Sequence, residues 1–225
     1  MTKVQVKNAS AVDPLHYYAL AYRDYIAART LLLQAQYLPA ATLASTCLEK
    51  YIKCILATLG IRVNLHLDRL SQFRTVLVSR GITLLSEVDQ DFLAILSSAY
   101  VLRYYDAVDR TIFSFHQWQF LAELDATVAL IESRLALKNK AGATIKTYYA
   151  LAREKGDSAI LEENFVLLGR DKREYMQRNG QIVAVEIDPT KEELYTVMNN
   201  LAPMAYEGRM LTVREIRIDT PASQE

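Results

Sequence analysis

Arg110 and His116 stand in the run RTIFSFH with five residues between them. A guanidinium can grip two phosphate oxygens at once. An imidazole near neutral pH can take up or release a proton. Attack of a 2′-hydroxyl on the adjacent phosphodiester needs those two roles and no metal, so the pair could cleave RNA. Ser114 followed by Gln117 forms a capping-box pattern, with Phe113 and Trp118 in the flanking staple positions. The spacing predicts a helix that begins here and places His116 at its second position. There the helix field disfavours imidazolium, and the free N–H groups suit a phosphate. A plainer reading carries more weight. In it His116 is a polar residue of a first turn, Arg110 pairs with Asp106 or Asp109 at the surface, and those acids repel an RNA backbone.

Other residues invite the same comparison. Glu49, Lys50 and Lys53 could contact a ligand, or they could line a solvated helix face with Glu49 and Lys53 as an (i, i+4) pair. Arg103 and Asp106 could line a nucleotide pocket or tie a helix end to its neighbour. His66 could cap a helix or meet a partner. Tyr17, Tyr18, Tyr22 and Tyr25 could stack bases, although aromatic residues at helical spacing more often form a core or a dimer interface. Cys47 and Cys54 have no base beside them in sequence. On one helix their Cα atoms would be roughly 10 Å apart, beyond the ~7 Å that a disulfide spans, so both are expected as reduced core thiols. There is no P-loop, no G-x-G-x-x-G, no H-E-x-x-H and no Cys/His metal spacing. No metal and no cofactor is expected.

The elements that must position these residues are mostly helical. Glycine is absent before Gly60. Asp13 can cap and Pro14 can start a first helix, in which Tyr18, Ala21, Tyr22, Tyr25 and Leu32 recur at helical spacing. A second helix begins near Pro39, carries Leu43, Cys47, Tyr51 and Ile55 as its stripe, and stops at Gly60. A short third helix ends at Gly81. A fourth runs from about Ser86 to Tyr105, and a fifth carries Leu121, Leu124, Val128, Ile131 and Leu135.

Beyond Lys138 the texture changes. Asn179-Gly180 between REYMQR and QIVAVEI is the strongest hairpin signal in the chain, with a helix from Asp171 as the alternative. DPTKEELYTVMNNLA predicts a capped helix, and MLTVREIRI a strand. The expected fold is therefore mainly α: a five-helix up-and-down bundle over residues 1–138, then a small α+β appendix with a β-hairpin over 139–225, ending in a frayed tail.

Bulk properties narrow the function. The chain has 225 residues, 51% of them hydrophobic, with 26 basic and 26 acidic residues. Such a chain buries a core without disulfides or metals. The balanced charge excludes bulk attraction to nucleic acid or a polybasic membrane tether, but not a local basic patch. No apolar leader follows the first Met, and no apolar run reaches the ~18 residues of a membrane span. A cytoplasmic location is expected.

YRDYIAARTLLLQAQYLPAATLASTCLEKYIKCILATLGI resembles the first two helices of the HEPN family, with Leu48-Glu49-Lys50-Tyr51-Ile52-Lys53 matching its second-helix signature. LHLDRL resembles the family's His-led start of the third helix. LRYYD resembles its fourth-helix end at Arg103, Tyr104 and Asp106. The likeness covers about residues 14 to 137. It implies a helical bundle that often forms homodimers and keeps company with nucleotides, RNA or nucleotidyltransferase partners, as in toxin–antitoxin pairs. Some members are metal-independent ribonucleases with an Arg-x4–6-His motif, which Arg110 and His116 satisfy; others are binding modules. The reading preferred here is a binding module anchored by Glu49, Lys50, Lys53, Arg103 and Asp106. The alternatives are an endoribonuclease using Arg110 and His116, and a purely structural interaction module.

Overall fold

The structure, a computed structural model, describes residues 7–8, 13–101, 111–139, 141–187, 195–199 and 211–215. Helix α1 (Pro14–Leu33) starts as its sequence directs. Asp13 accepts a hydrogen bond from the Leu15 amide at 2.9 Å, and Pro14 opens the first turn. Its inner face of Tyr18, Ala21, Tyr25, Ala28 and Leu32 is buried. Helix α2 (Tyr37–Thr58) lies along it. Ala40, Ala41 and Ala44 are fully buried on α2, and these short side chains let the two backbones approach. Gly60 ends α2 with a left-handed φ of +70°, a conformation glycine adopts without a Cβ clash. Strand β2 (Ile61–Arg62) follows, paired antiparallel with β1 (Lys7–Asn8).

A 3-10 turn (Leu67–Arg69) leads into α3 (Leu70–Val78). The expected fourth helix is two pieces, α4 (Leu84–Glu87) and α5 (Gln90–Val101). Val88 is extended, and the Asp89 carboxylate accepts from the Phe92 amide at 2.9 Å, which starts the second piece afresh. Phe92, Leu93, Leu96 and Ala99 face inward as expected. The expected end near Tyr105 lies outside the described residues.

The stretch before the fifth helix departs from expectation. Thr111–His116 is strand β3, and helix α6 (Gln117–Arg134) begins only at Gln117, with His116 as its cap residue. Ser114 is therefore a strand residue and not a helix cap. The run Thr-Ile-Phe-Ser-Phe-His is β-branched and aromatic at alternate positions, which suits a pleated strand. Two partners fix it there: β4 (Ile182–Ile187) on one side and β6 (Leu211–Glu215) on the other, both antiparallel. Strand β5 (Tyr195–Asn199) completes a sheet of order β5-β4-β3-β6. Phe115 anchors the sheet to the bundle, with ring centres 4.6 Å from Phe120 and 6.2 Å from Tyr37.

Two further expectations change. Asn179-Gly180 is not a hairpin turn, because Lys172–Met176 is a short helix, α9, capped by Asp171. The antiparallel pairing of consecutive strands occurs later, between β4 and β5. The helix expected from Asp188 is, over Tyr195–Asn199, strand β5; Tyr, Thr and Val there are strand formers. The expected strand at MLTVREIRI is present as β6. Two short helices, α7 (Tyr148–Lys155) and α8 (Ser158–Leu161), lie against α1. The molecule is thus mainly α, a helical bundle followed by a small α+β part, and among the described residues no helix is long and apolar enough to cross a membrane.

Candidate functional site

The polar residues of α2 split between two neighbours. Glu49 and Lys53 form the expected (i, i+4) pair, Nζ to Oε1 at 2.7 Å. The pair is not on a solvated face, since Glu49 is buried. Its Oε1 also meets His66 Nδ1 at 3.3 Å, and its Oε2 accepts from the Leu67 amide at 3.2 Å. One carboxylate thus holds the start of the 3-10 turn against α2. The His66 ring lies over Tyr100 of α5, ring centres 5.0 Å apart and planes 25° from parallel. Lys50 turns the other way, toward α1, where its Nζ meets Asp24 Oδ2 at 2.6 Å; Thr46 donates to the same oxygen.

Glu49, Lys53, His66 and Tyr100 therefore form one ledge, and Lys50 lies beside it with a carboxylate of its own. Arg103, Asp106 and Arg110 lie outside the described residues. His116 is fully buried. Its position is set by the register of β3, opposite Ile182, and by the start of α6, where the Gln117 amide donates to Gln181 O at 2.9 Å.

Two interior clusters escaped the reading of the sequence. In the first, Arg29 of α1 and Asp125 of α6 are ion-paired with no exposed surface on either side chain. Tyr25 donates to the other Asp125 oxygen at 2.8 Å, and Asn164 donates to Tyr25 Oη at 3.1 Å. Arg29 also donates to Glu162 O at the end of α8. Burial opposes the charge on Arg29, but the Asp125 carboxylate more than offsets it and holds the guanidinium pKa above its ordinary value.

In the second cluster, Tyr51 donates to Glu132 Oε1 at 2.7 Å. Tyr18 accepts from the Tyr149 amide at 3.1 Å. Burial raises the Glu132 pKa against the pull of hydrogen bonds from Tyr51, Thr147 and Tyr18. A carboxyl whose folded pKa is raised contributes stability that is full below its ordinary value and is lost as pH climbs toward the folded value. Glu132→Gln is therefore expected to flatten that loss. As pH rises above the ordinary carboxylate range the variant should lose less stability than wild type in paired urea melts, while identical pH profiles would refute the assignment.

The tyrosine run of α1 is core: Tyr18 and Tyr25 are buried, and Tyr17 and Tyr22 are half-buried against the same cluster. Burial pushes the Cys47 thiol far up and Cys54 to about 12. Both are protonated at neutral pH, and a thiol without its thiolate is a poor nucleophile. Among the described residues no group of three or more His, Cys, Asp or Glu is placed to hold a metal ion. Cavities of about 340 and 280 Å³ flank α4, sharing Ile82 and Thr83. The first is lined half by apolar and half by polar residues, with Arg74 and Gln90 in its wall, and the second is chiefly Ile and Leu. A third of about 360 Å³ beside α4 is lined by Glu87, Asp89, Glu123 and Lys172 among others, and none of the three includes a ledge residue.

The HEPN domain family model matches residues 16–133. No curated protein and no solved structure matches the chain. The match spans α1 to α6 and with them every residue of the ledge, and the bundle those helices make is the fold the family model describes. The chain belongs to the HEPN domain family.

Proposed function

We propose that this protein is a nucleotide- or RNA-binding HEPN module that works without chemistry of its own, and that its binding surface is the ledge on α2. The observation that supports this most is the arrangement around Glu49. A buried carboxylate orients an ammonium, a half-exposed imidazole and the start of the 3-10 turn together. Glu49 acts as the organiser, and Lys53 and Lys50 each offer charge to a phosphate that draws them from Glu49 and Asp24. Arg103 and Asp106, which follow α5 in sequence, belong to the same proposal. So do a homodimer, a nucleotidyltransferase protein as partner in a toxin–antitoxin pair, and a cytoplasmic setting.

The burial of His116 favours this reading over an endoribonuclease built on Arg110 and His116. The imidazole has no exposed surface, and Gly180 lies close enough to it that an added Cβ would stand 2.9 Å from Cε1, so a phosphodiester could reach it only after the surrounding structure opened. The test is titration of the purified protein with ATP, GTP and a short single-stranded RNA. Wild type is expected to bind at least one, and Lys53→Ala to weaken it about ten-fold, the scale of a lost charge-assisted hydrogen bond. Absence of binding to all three would overturn the proposal. Cleavage of RNA in EDTA that His116→Ala abolishes would replace it with the enzyme.

A further inference from the structure

Resting on that reading, the geometry points to a more specific role: the outer face of the His66 ring is a stacking platform for a nucleobase, with Lys53 placed for the phosphate. The inner face is covered by Tyr100 at a 5.0 Å ring separation and near-parallel planes. Yet 48% of the His66 side chain is exposed. With one face against Tyr100, the surface left to solvent is the opposite face and the Nε2 edge. The ring is also fixed in plane. Nδ1 meets Glu49 Oε1, and that carboxylate is held by Lys53 and the Leu67 amide.

A planar, pinned and half-open ring loses little conformational freedom when a second ring lies on it. Every nucleobase has a π-face, and stacking tolerates any base. Lys53 Nζ shares the Glu49 oxygen that His66 meets. A base on the ring therefore has beside it an ammonium that is 12% exposed and that a phosphate would share with Glu49. The π-face and the ammonium together suit a nucleotide better than a bare phosphate or a bare aromatic. The base can come from a free mononucleotide or from unpaired RNA.

The experiment observes the His66 ring protons by NMR while wild-type protein is titrated with AMP, with a short oligo(A) RNA and with ribose 5-phosphate. A base lying on the ring is expected to shift the His66 signals upfield with AMP, oligo(A) or both. Ribose 5-phosphate, which has no base, should leave them nearly in place. The stronger of the first two arms identifies the source of the base. His66→Asn, which keeps a polar group for Glu49 but removes the ring, is expected to weaken binding about ten-fold. His66→Phe, which keeps a ring, should retain most of it. If AMP or RNA binds and Lys53→Ala weakens it, but His66→Asn binds like wild type or His66→Phe loses as much as His66→Asn, the platform is wrong and the binding module stands. If wild type binds neither, the platform falls, and the binding module falls with it only if ATP, GTP and single-stranded RNA also fail to bind.

Discussion

Asp125→Asn is expected to lower the stability of this protein by about 3–5 kcal/mol, the scale at which loss of one partner strands a buried charge. Arg29 has no exposed surface, so water cannot replace the carboxylate. Its remaining partners, Glu162 O and the more distant Ala159 O at 3.5 Å, are neutral carbonyls. The residue also joins parts of the chain that lie far apart in sequence: α1 through Arg29 and Tyr25, α6 through Asp125, and the turn after α8 through Asn164. For a chain of this length the loss corresponds to a fall in melting temperature of roughly 6–20 °C. Replacing both ions at once, Arg29→Met with Asp125→Leu, is expected to restore most of it, because two well-packed apolar side chains avoid the cost of desolvating a pair. Thermal melts of the single and double variants decide the matter. A melting point within about 2 °C of wild type for Asp125→Asn would mean the pair is not sealed from water.

The sequence carried the helices of the bundle well and the sheet poorly, for a physical reason. Asp13-Pro14, the spacing from Tyr18 to Leu32 and Gly60 are local signals, and α1 and α2 follow them. Thr111–His116 carries two local signals at once, the alternation of a strand and the Ser114–Gln117 pattern of a helix start. What selects the strand is β4 and β6, partners from more than sixty residues later in the chain, and a single-stretch reading cannot weigh them. The same holds for Tyr195–Asn199, where acidic and lysine residues upstream suggest a helix while pairing to β4 holds a strand. At the site, the Glu49–Lys53 spacing was legible. That Glu49 is buried was not, since the Leu67 amide and His66 reach it through the turn after β2. Arg29 did leave a trace. It sits four residues from Tyr25 and three before Leu32, on a face otherwise apolar, and a lone cation in such a place calls for a buried acid.

Gly180→Ala is expected to destabilise the fold by about 1–3 kcal/mol, the usual cost of forcing an extra methyl into a packed interior. The backbone angle there is not one that demands glycine; the demand is space. A Cβ would stand 2.5 Å from Trp118 Cδ1, 2.7 Å from its Nε1 and 2.9 Å from His116 Cε1. The indole cannot swing away cheaply. Its Nε1 donates to Asn179 O at 2.7 Å, the Arg178 guanidinium lies 4.3 Å from the ring centre, and the Tyr175 ring meets it edge-on at 5.6 Å. Arg178 is in turn held by Glu163. His116 is no easier to move, being a fully buried residue at the junction of β3 and α6. The added methyl therefore pushes on the point where the sheet joins the bundle. Trp118 is the only tryptophan in the chain, so its emission reports the site directly: Gly180→Ala should shift it to the red and lower the melting temperature together. Trp118→Ala in the same chain should remove the two shortest of these contacts and so reduce the Gly180→Ala cost while leaving the one to His116, a coupling that a double-mutant cycle measures. An unchanged emission maximum and an unchanged melt in Gly180→Ala would show that the junction is looser than these distances require.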